Sequence, residues 1–296
     1  MSPGGIEPLI GTGLALASAV GWSGLDAVRK RLSRELSATT ILLGFTAPQV
    51  PIQAAILLGT GLPTVDLIFV ITTLIAASLT LAANLLFVRA VALSPLSLTV
   101  PYLSLSPALT LVFGALLLGQ SPGPAGVAGV ATVCVGAVLL NSTPRELLRN
   151  PLRGLQRERG SQLMLGVAAL FAASTALDRL AIVHSSEPAY ALLLTTSITL
   201  ALLLRPGAVQ ELRTARASRA WLVGGALSTA FALINQFFGY RFLLVGYVDA
   251  VKRAGGNIFA IALGGLFFKE RIRPRQIVAV LLMSAGVALI LLDTPS

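Results

Sequence analysis

Ten apolar runs of about 20 residues recur along the chain, at about 9–28, 38–58, 66–91, 96–118, 124–141, 162–183, 189–204, 220–243, 248–268 and 275–292. A helix needs about 20 apolar residues to cross roughly 30 Å of hydrocarbon. The runs therefore predict an all-α polytopic membrane protein with ten transmembrane helices. Composition leaves little room for anything else: 55% of residues are hydrophobic, 11% are charged, and mean hydropathy is +0.84. A soluble fold needs roughly 25% charged residues to cover its surface, and a disordered chain is poor in aliphatic residues. The net charge of +10 has no broad polar surface on which to form a nucleic-acid patch, so it faces lipid headgroups and no nucleic-acid partner is expected.

The N-terminus, MSPGGIEPLIG, has no Lys or Arg before Arg29. It lacks the positive region of a cleavable leader, and its apolar run reads as the first span. The single cysteine, Cys134, excludes an internal disulfide and a cysteine metal cluster. Only 142–161, STPRELLRNPLRGLQRERGS, is long and polar enough to divide the chain. It separates a first five-span half, 1–141, from a second, 162–296.

The halves resemble each other. At an offset of 150, Gly114, Leu116, Pro124, Val130, Gly136 and Leu139 meet Gly264, Leu266, Pro274, Val280, Gly286 and Leu289. Nearby offsets pair Asn84 with Asn235, Phe87 with Phe238, and Leu25-Asp26 with Leu177-Asp178. Five spans is an odd number, so duplicated halves enter the membrane from opposite sides and frame a site near its midplane. Of the 22 basic residues, 18 fall on connections after odd-numbered spans, and only Arg179, Arg241, Lys252 and Arg253 fall elsewhere. The positive-inside rule then puts both termini outside the cytoplasm.

The stretches ANLLFVRAVALSPLSLTVPYLSLSPALTLVFGALLLGQ (83–120) and LFFKERIRPRQIVAVLLMSAGVALILL (266–292) resemble the paired repeats of EamA-type transporters in the drug/metabolite transporter superfamily. The shared pattern is an Ala-rich third span, a Pro in the fourth, a turn of Gly-Glu type, and a Gly-rich fifth. Lys269-Glu270 supplies that turn in the second half, whereas Gly119-Gln120 stands in the first. The resemblance implies ten helices around a central cavity lined mainly by spans 1, 3, 4, 6, 8 and 9. It further implies amino-acid or metabolite export of the YddG-like kind, with both termini usually cytoplasmic. The basic-residue count opposes that last point and is followed here, because the connections are short enough for it to apply.

Within the spans, Pro101 and Pro107 of the fourth and Gly255-Gly256 with Asn257 of the ninth are expected to break their helices and free backbone groups at the depth of a solute. Close helix packing is the competing reading of these residues. Polar side chains inside spans are costly unless they face protein or water, which selects Asn84, Tyr102, Ser106, Asn235, Lys252 and Asn257 as substrate-binding candidates. Lys252 could instead snorkel to the interface. Asp26 and Asp178 are the candidate coupling groups, each expected to pair with an adjacent arginine, Arg29 or Arg179. Trp22 reads as an interfacial anchor, and His184 as a solvated loop residue. One histidine cannot supply a paired zinc site or serve a nucleophile, so an enzyme is disfavoured and no cofactor or metal is expected.

The expected function is export of amino acids or related small metabolites across the bacterial inner membrane by a monomer using alternating access. Because no acidic residue lies in mid-span, uncoupled diffusion down the solute gradient is expected. The alternatives are proton-driven export of drugs or cationic compounds and, from another class, a channel or lipid-binding scaffold.

Overall fold

A computed structural model describes residues 6–32, 35–93, 102–141, 159–205, 207–215, 218–268 and 274–293. The helices are α1 (Glu7–Leu32), α2 (Ala38–Thr46), α3 (Gln49–Thr60), α4 (Leu67–Leu93), α5 (Ser106–Leu118), α6 (Pro124–Asn141), α7 (Arg159–Val183), α8 (Glu187–Leu203), α9 (Ala208–Thr214), α10 (Arg219–Gly239), α11 (Val245–Phe268) and α12 (Pro274–Leu291). No strand occurs among the described residues. Six segments are long and apolar enough to cross a membrane: Glu7–Arg29, Ala38–Thr60, Leu67–Phe87, Arg159–Val183, Arg219–Gly239 and Pro274–Leu291. Three shorter apolar helices are Ser106–Leu118, Pro124–Leu140 and Glu187–Leu203.

Local chemistry sets the helix ends. The Ser37 and Ser186 hydroxyls cap α2 and α8 by accepting the N–H groups of Thr40 and Ala189, each at 3.3 Å. Gly119 ends α5 at φ +62, a conformation that costs glycine little. The second apolar run is not one helix. Pro48 has no N–H to extend the ladder, so α2 and α3 meet at a turn at Ala47-Pro48.

Small residues let the helices approach closely. Ala15, Ala19, Ala76, Ala83, Ala168, Ala172 and Ala176 are buried, whereas Leu58, Leu62, Leu116, Leu200, Leu227 and Leu281 are exposed. That distribution suits a surface in contact with lipid. The main pairings are α4 with α7, α1 with α10, α6 with α12, α5 with α7, α1 with α11, α5 with α11, and α2 and α3 with α8. Many hydroxyls in the apolar helices are satisfied by the carbonyl one turn back, as in Thr73 to Phe69 at 2.7 Å and Thr195 to Ala191 at 2.7 Å.

The two ends of the bundle differ in chemistry. At one end His184 Nδ1 lies 2.7 Å from Asp66 Oδ2, Arg241 pairs with Glu187, and the Asp293 carboxylate receives the Tyr247 hydroxyl and, at 3.0 Å, the Gly123 N–H. His184 is therefore paired rather than simply solvated. At the other end Glu211 binds Ser37 and Thr40, Arg205 binds Thr39, and Ser218 donates to Glu35 at 3.0 Å.

Candidate functional site

A polar cluster lies where α1, α5, α10 and α11 converge. Helical spacing builds it: Asp249 and Lys252 of α11 are three apart, and Ser106 and Thr110 of α5, like Gln236 and Tyr240 beside the end of α10, are four apart, so each pair shares a face. Lys252 Nζ lies 3.1 Å from Asp249 Oδ1 and donates to Gln236 Oε1 at 3.0 Å. The same Gln236 oxygen accepts the Trp22 indole N–H at 3.0 Å, and Gln236 Nε2 donates to the Tyr240 hydroxyl at 2.6 Å. Asp249 Oδ2 accepts the Ser106 hydroxyl at 2.8 Å and the Thr110 hydroxyl at 3.3 Å. Arg253 Nη2 donates to Ser106 Oγ at 3.1 Å, while its Nε is buried without a partner. The Lys252 ammonium stands 6.0 Å from the centre of the Trp22 ring.

A second cluster lies beside the first. Asp178 of α7 is buried and receives the Tyr190 hydroxyl of α8 and, at 3.4 Å, the Ser174 hydroxyl one turn back. Ser174 Oγ lies 2.7 Å from Thr80 Oγ1 of α4. Lys252 acts on Asp178 electrostatically across the gap between the clusters.

From the first cluster α1 leads to an exposed, charged strip at Asp26, termed the groove. On α1, Leu16 and Ala19 lie against Gly255, and Ser23 lies against Gly256. Asp26 continues that face one turn on, and its side chain is 72% exposed. Arg29 lies 3.7 Å from Asp26 and reaches Asn84 Oδ1 of α4 at 3.4 Å, and Arg253 also acts on the Asp26 charge. The groove thus presents one carboxylate, two guanidinium groups and an amide. A separate hollow of about 260 Å³ between α5 and α6, lined by Leu105, Cys134, Val135, Val138 and Leu139, holds no polar side chain with which to orient a solute.

Several sequence expectations need correction. Gly255 and Gly256 do not break their helix, since α11 runs through both. They serve instead as the surface on which α1 packs. In the fourth run the interruption is a turn at Ser104-Leu105, and Pro107 sits in the first turn of α5, where its missing N–H costs nothing. Pro101 and the Lys269-Glu270 turn lie outside the described residues, as does 142–158 of the linker. Asp178 does not pair with Arg179, because adjacent residues on a helix point about 100° apart. Its partners are Tyr190 and Ser174. Asp178 and Asp249 lie within two turns of a helix end, yet both are buried, so position along a span does not by itself say whether a carboxylate meets water. Lys252 is not snorkelling and Trp22 is not a free anchor, since each is bonded to Gln236.

The remaining candidates scatter. Asn235 spends its amide on its own helix, Nδ2 to Phe231 O at 2.8 Å, and the neighbouring Gln236 faces the cluster instead. Asn84 donates to Thr80 O at 2.8 Å and accepts from Arg29. Tyr102 packs near Ala83, Ala90, Met164 and Val167. Asn257 Nδ2 meets Met283 Sδ at 3.6 Å. Gln236, Asp249, Thr110, Tyr190 and Ser174 went unselected, although the Asp249–Lys252 spacing marked an ion pair inside an apolar run. Among the described residues no three His, Cys, Asp or Glu side chains converge as a metal site requires.

Residues 9–142 match the family model described as EamA-like transporter family. The match spans the first half of the chain, which resembles an EamA-like transporter unit. A solved crystal structure of a protein, 15% identical, superposes with a TM-score of 0.70 over 94% of this chain and 95% of its own, a likeness of fold extending through the second half. No curated protein matches the chain in sequence. The family match and the apolar helices mark a multi-pass membrane protein whose first half resembles a transporter unit.

Proposed function

We propose that the chain exports amino acids or related small metabolites across the bacterial inner membrane, as a monomer working by alternating access. The observation that carries this reading is the bipolar groove. Arg29 and Arg253 offer guanidinium groups to a carboxylate, Asp26 offers a carboxylate to an ammonium, and Trp22 supplies an aromatic wall at the base beside Gln236 and Lys252. Few small solutes other than a zwitterion use both signs at once. The groove opens toward the end bearing Arg29 and Glu211, while ion pairs and hydrogen bonds tie the other end. If the basic end is cytoplasmic, this conformation loads from the cytoplasm, as an exporter must.

Two inverted five-helix repeats within a ten-helix bundle underlie the proposed cycle. The pairings support them, because exchanging the halves turns α4–α7 into α10–α1 and α5–α7 into α11–α1, and all four occur. In α6 and α12 the exchange is visible by residue: Gly129 packs on Gly286, and at an offset of 150 Ala279 packs on Gly136. Helices related in this way run antiparallel, which suits a two-fold axis in the membrane plane.

The test is a thermal-shift screen of purified protein against amino acids, nucleosides, sugars and cationic drugs, because a ligand of the native state raises the unfolding temperature by mass action. Stabilisation by one or more amino acids, followed by saturable, competable flux of that compound in proteoliposomes, supports the reading. Stabilisation by cationic drugs alone would move the assignment to the runner-up, and non-saturable flux would favour a channel.

A further inference from the structure

Asp178 and Asp249 are both buried, but their surroundings are unequal. Asp249 lies 3.1 Å from the Lys252 ammonium, receives two hydroxyls, and has Arg253 one turn on. Among the described residues no cation comes within ion-pair distance of Asp178, whose bonded partners are the hydroxyls of Tyr190 and Ser174. Burying an unpaired charge is expensive. Two things relieve that cost at Asp178: a proton on its carboxyl, or Lys252 turning from Asp249 toward it.

The groups around Asp178 can be named by element. Tyr190 faces it from α8, Tyr240 from the end of α10, and Lys252 from α11, where Lys252 also pairs with Asp249. On its own helix Arg179 points elsewhere, toward Glu187 and Arg241. From α4 the nearby polar side chain is Thr80, which is not titratable. The Lys252 ammonium is paired with Asp249 and is the cation whose charge bears on Asp178.

The first steps of a route for the proton are also present. Asp178 Oδ1, Ser174 Oγ and Thr80 Oγ1 form a chain of 3.4 and 2.7 Å steps. Asn84, one turn along α4, bonds the Thr80 backbone carbonyl rather than its hydroxyl and accepts from Arg29 at the groove. Hydroxyls can each accept one proton and pass on another, so such a chain conducts without moving heavy atoms far.

We propose that Asp178 is a proton-exchange site that links the transport cycle to pH, with Ser174 and Thr80 as the first steps of its path to the groove and Lys252 as a cation contested with Asp249. The exchange balances simply. The Asp178 carboxylic acid releases its proton along the hydroxyl chain to groove water, and the carboxylate left behind draws Lys252 away from Asp249. Because Lys252 also holds Gln236 and stands beside Trp22, its movement reshapes the base of the groove. The link to flux rests on the export reading, whereas the titration itself does not.

The experiment is infrared difference spectroscopy of the purified, solute-free protein across a pH titration, following the protonated-carboxyl stretch. A titrating band is expected that disappears in Asp178→Asn and moves in frequency in Asp178→Glu. Two variants that keep Asp178 should shift its midpoint in opposite directions. Lys252→Gln removes the shared cation and raises the midpoint, while Asp249→Asn releases Lys252 to Asp178 and lowers it. A purely structural Asp178 would produce no such opposed pair. The proposal is overturned if the carboxyl titration of Asp178→Asn matches wild type, or if Lys252→Gln and Asp249→Asn leave the midpoint where it was. A positive titration with no amino-acid flux would keep the proton site and remove the substrate assignment.

Discussion

Gly129 and Gly286 meet backbone to backbone across the α6–α12 interface: a Cβ on either would lie 2.6 Å from the carbonyl oxygen of the other. No rotamer change relieves a clash with backbone, so the helices themselves must separate. Gly129→Ala and Gly286→Ala should each destabilise by about 1–3 kcal/mol, read as a lower midpoint of thermal unfolding in detergent. Gly166 on α7 has nothing within 4 Å of its Cβ position. Gly166→Ala should therefore be neutral, or stabilising by up to about 1 kcal/mol. Equal effects at the three positions would mean that α6 and α12 do not touch in this register.

Gln236 and Asn235 are neighbours with opposite duties. Gln236 holds Trp22, Lys252 and Tyr240 together, whereas Asn235 bonds the Phe231 carbonyl of its own helix. Gln236→Leu should reduce transport about tenfold or more at normal expression, since it leaves Lys252 and the Trp22 indole each short of a buried partner. Asn235→Leu should leave transport within about twofold, as helix-internal amide bonds are cheaply lost. Flux in proteoliposomes normalised to reconstituted protein decides between them, and the reverse ranking would move the site to the other face of α10.

The contrast shows how far the chain could be read before its structure. Among the described residues each apolar run is mainly helix, because hydrocarbon length and backbone satisfaction favour that solution and the residues state it. The facing of single polar residues was less legible. Asn235 lies at mid-helix and Gln236 beside it, and nothing in a uniformly apolar sequence says which of the two points inward. Asp249 was passed over for its closeness to a helix start. The loop 240–244 and the adjoining helices bury that start, and such cover depends on contacts distant in sequence. Gly255 and Gly256 looked like breaks because glycine weakens helices in water. In lipid the backbone has no other donor or acceptor, so the helix persists and the glycines admit α1.

Glu211 of α9 fastens the start of α2. Its carboxylate accepts the Thr40 hydroxyl at 2.6 Å, the Ser37 hydroxyl at 2.7 Å and the Ser37 N–H at 2.9 Å, which together hold it below the usual glutamate range. A carboxyl whose folded value lies below its unfolded value of about 4.3 stabilises fully above that pH. The contribution is lost as pH falls through the lowered folded value. The difference in unfolding temperature between wild type and Glu211→Gln should thus be largest near neutral pH and shrink on acidification to about pH 3. A difference independent of pH would mean that the carboxylate charge contributes nothing to this fastening.

Orientation decides which side the groove serves. Leu62 is 80% exposed and lies near Asp66, at the end tied by His184, Arg241 and Asp293. Arg213 is exposed on α9, at the end where Glu211 binds Ser37. Cys134 is buried, and Cys134→Ala gives a background without native thiols. In that background Leu62→Cys should react with an impermeant thiol reagent in intact cells, and Arg213→Cys only after permeabilisation. The asymmetry of 18 among 22 basic residues underlies this expectation. The groove at Asp26 opens at the same end as Arg213, so the labelling also fixes the side from which solute enters this conformation. Reactive Arg213→Cys with protected Leu62→Cys would place both termini in the cytoplasm. The groove would then face outward, and the conformation described would be the one that releases an exported solute rather than the one that receives it.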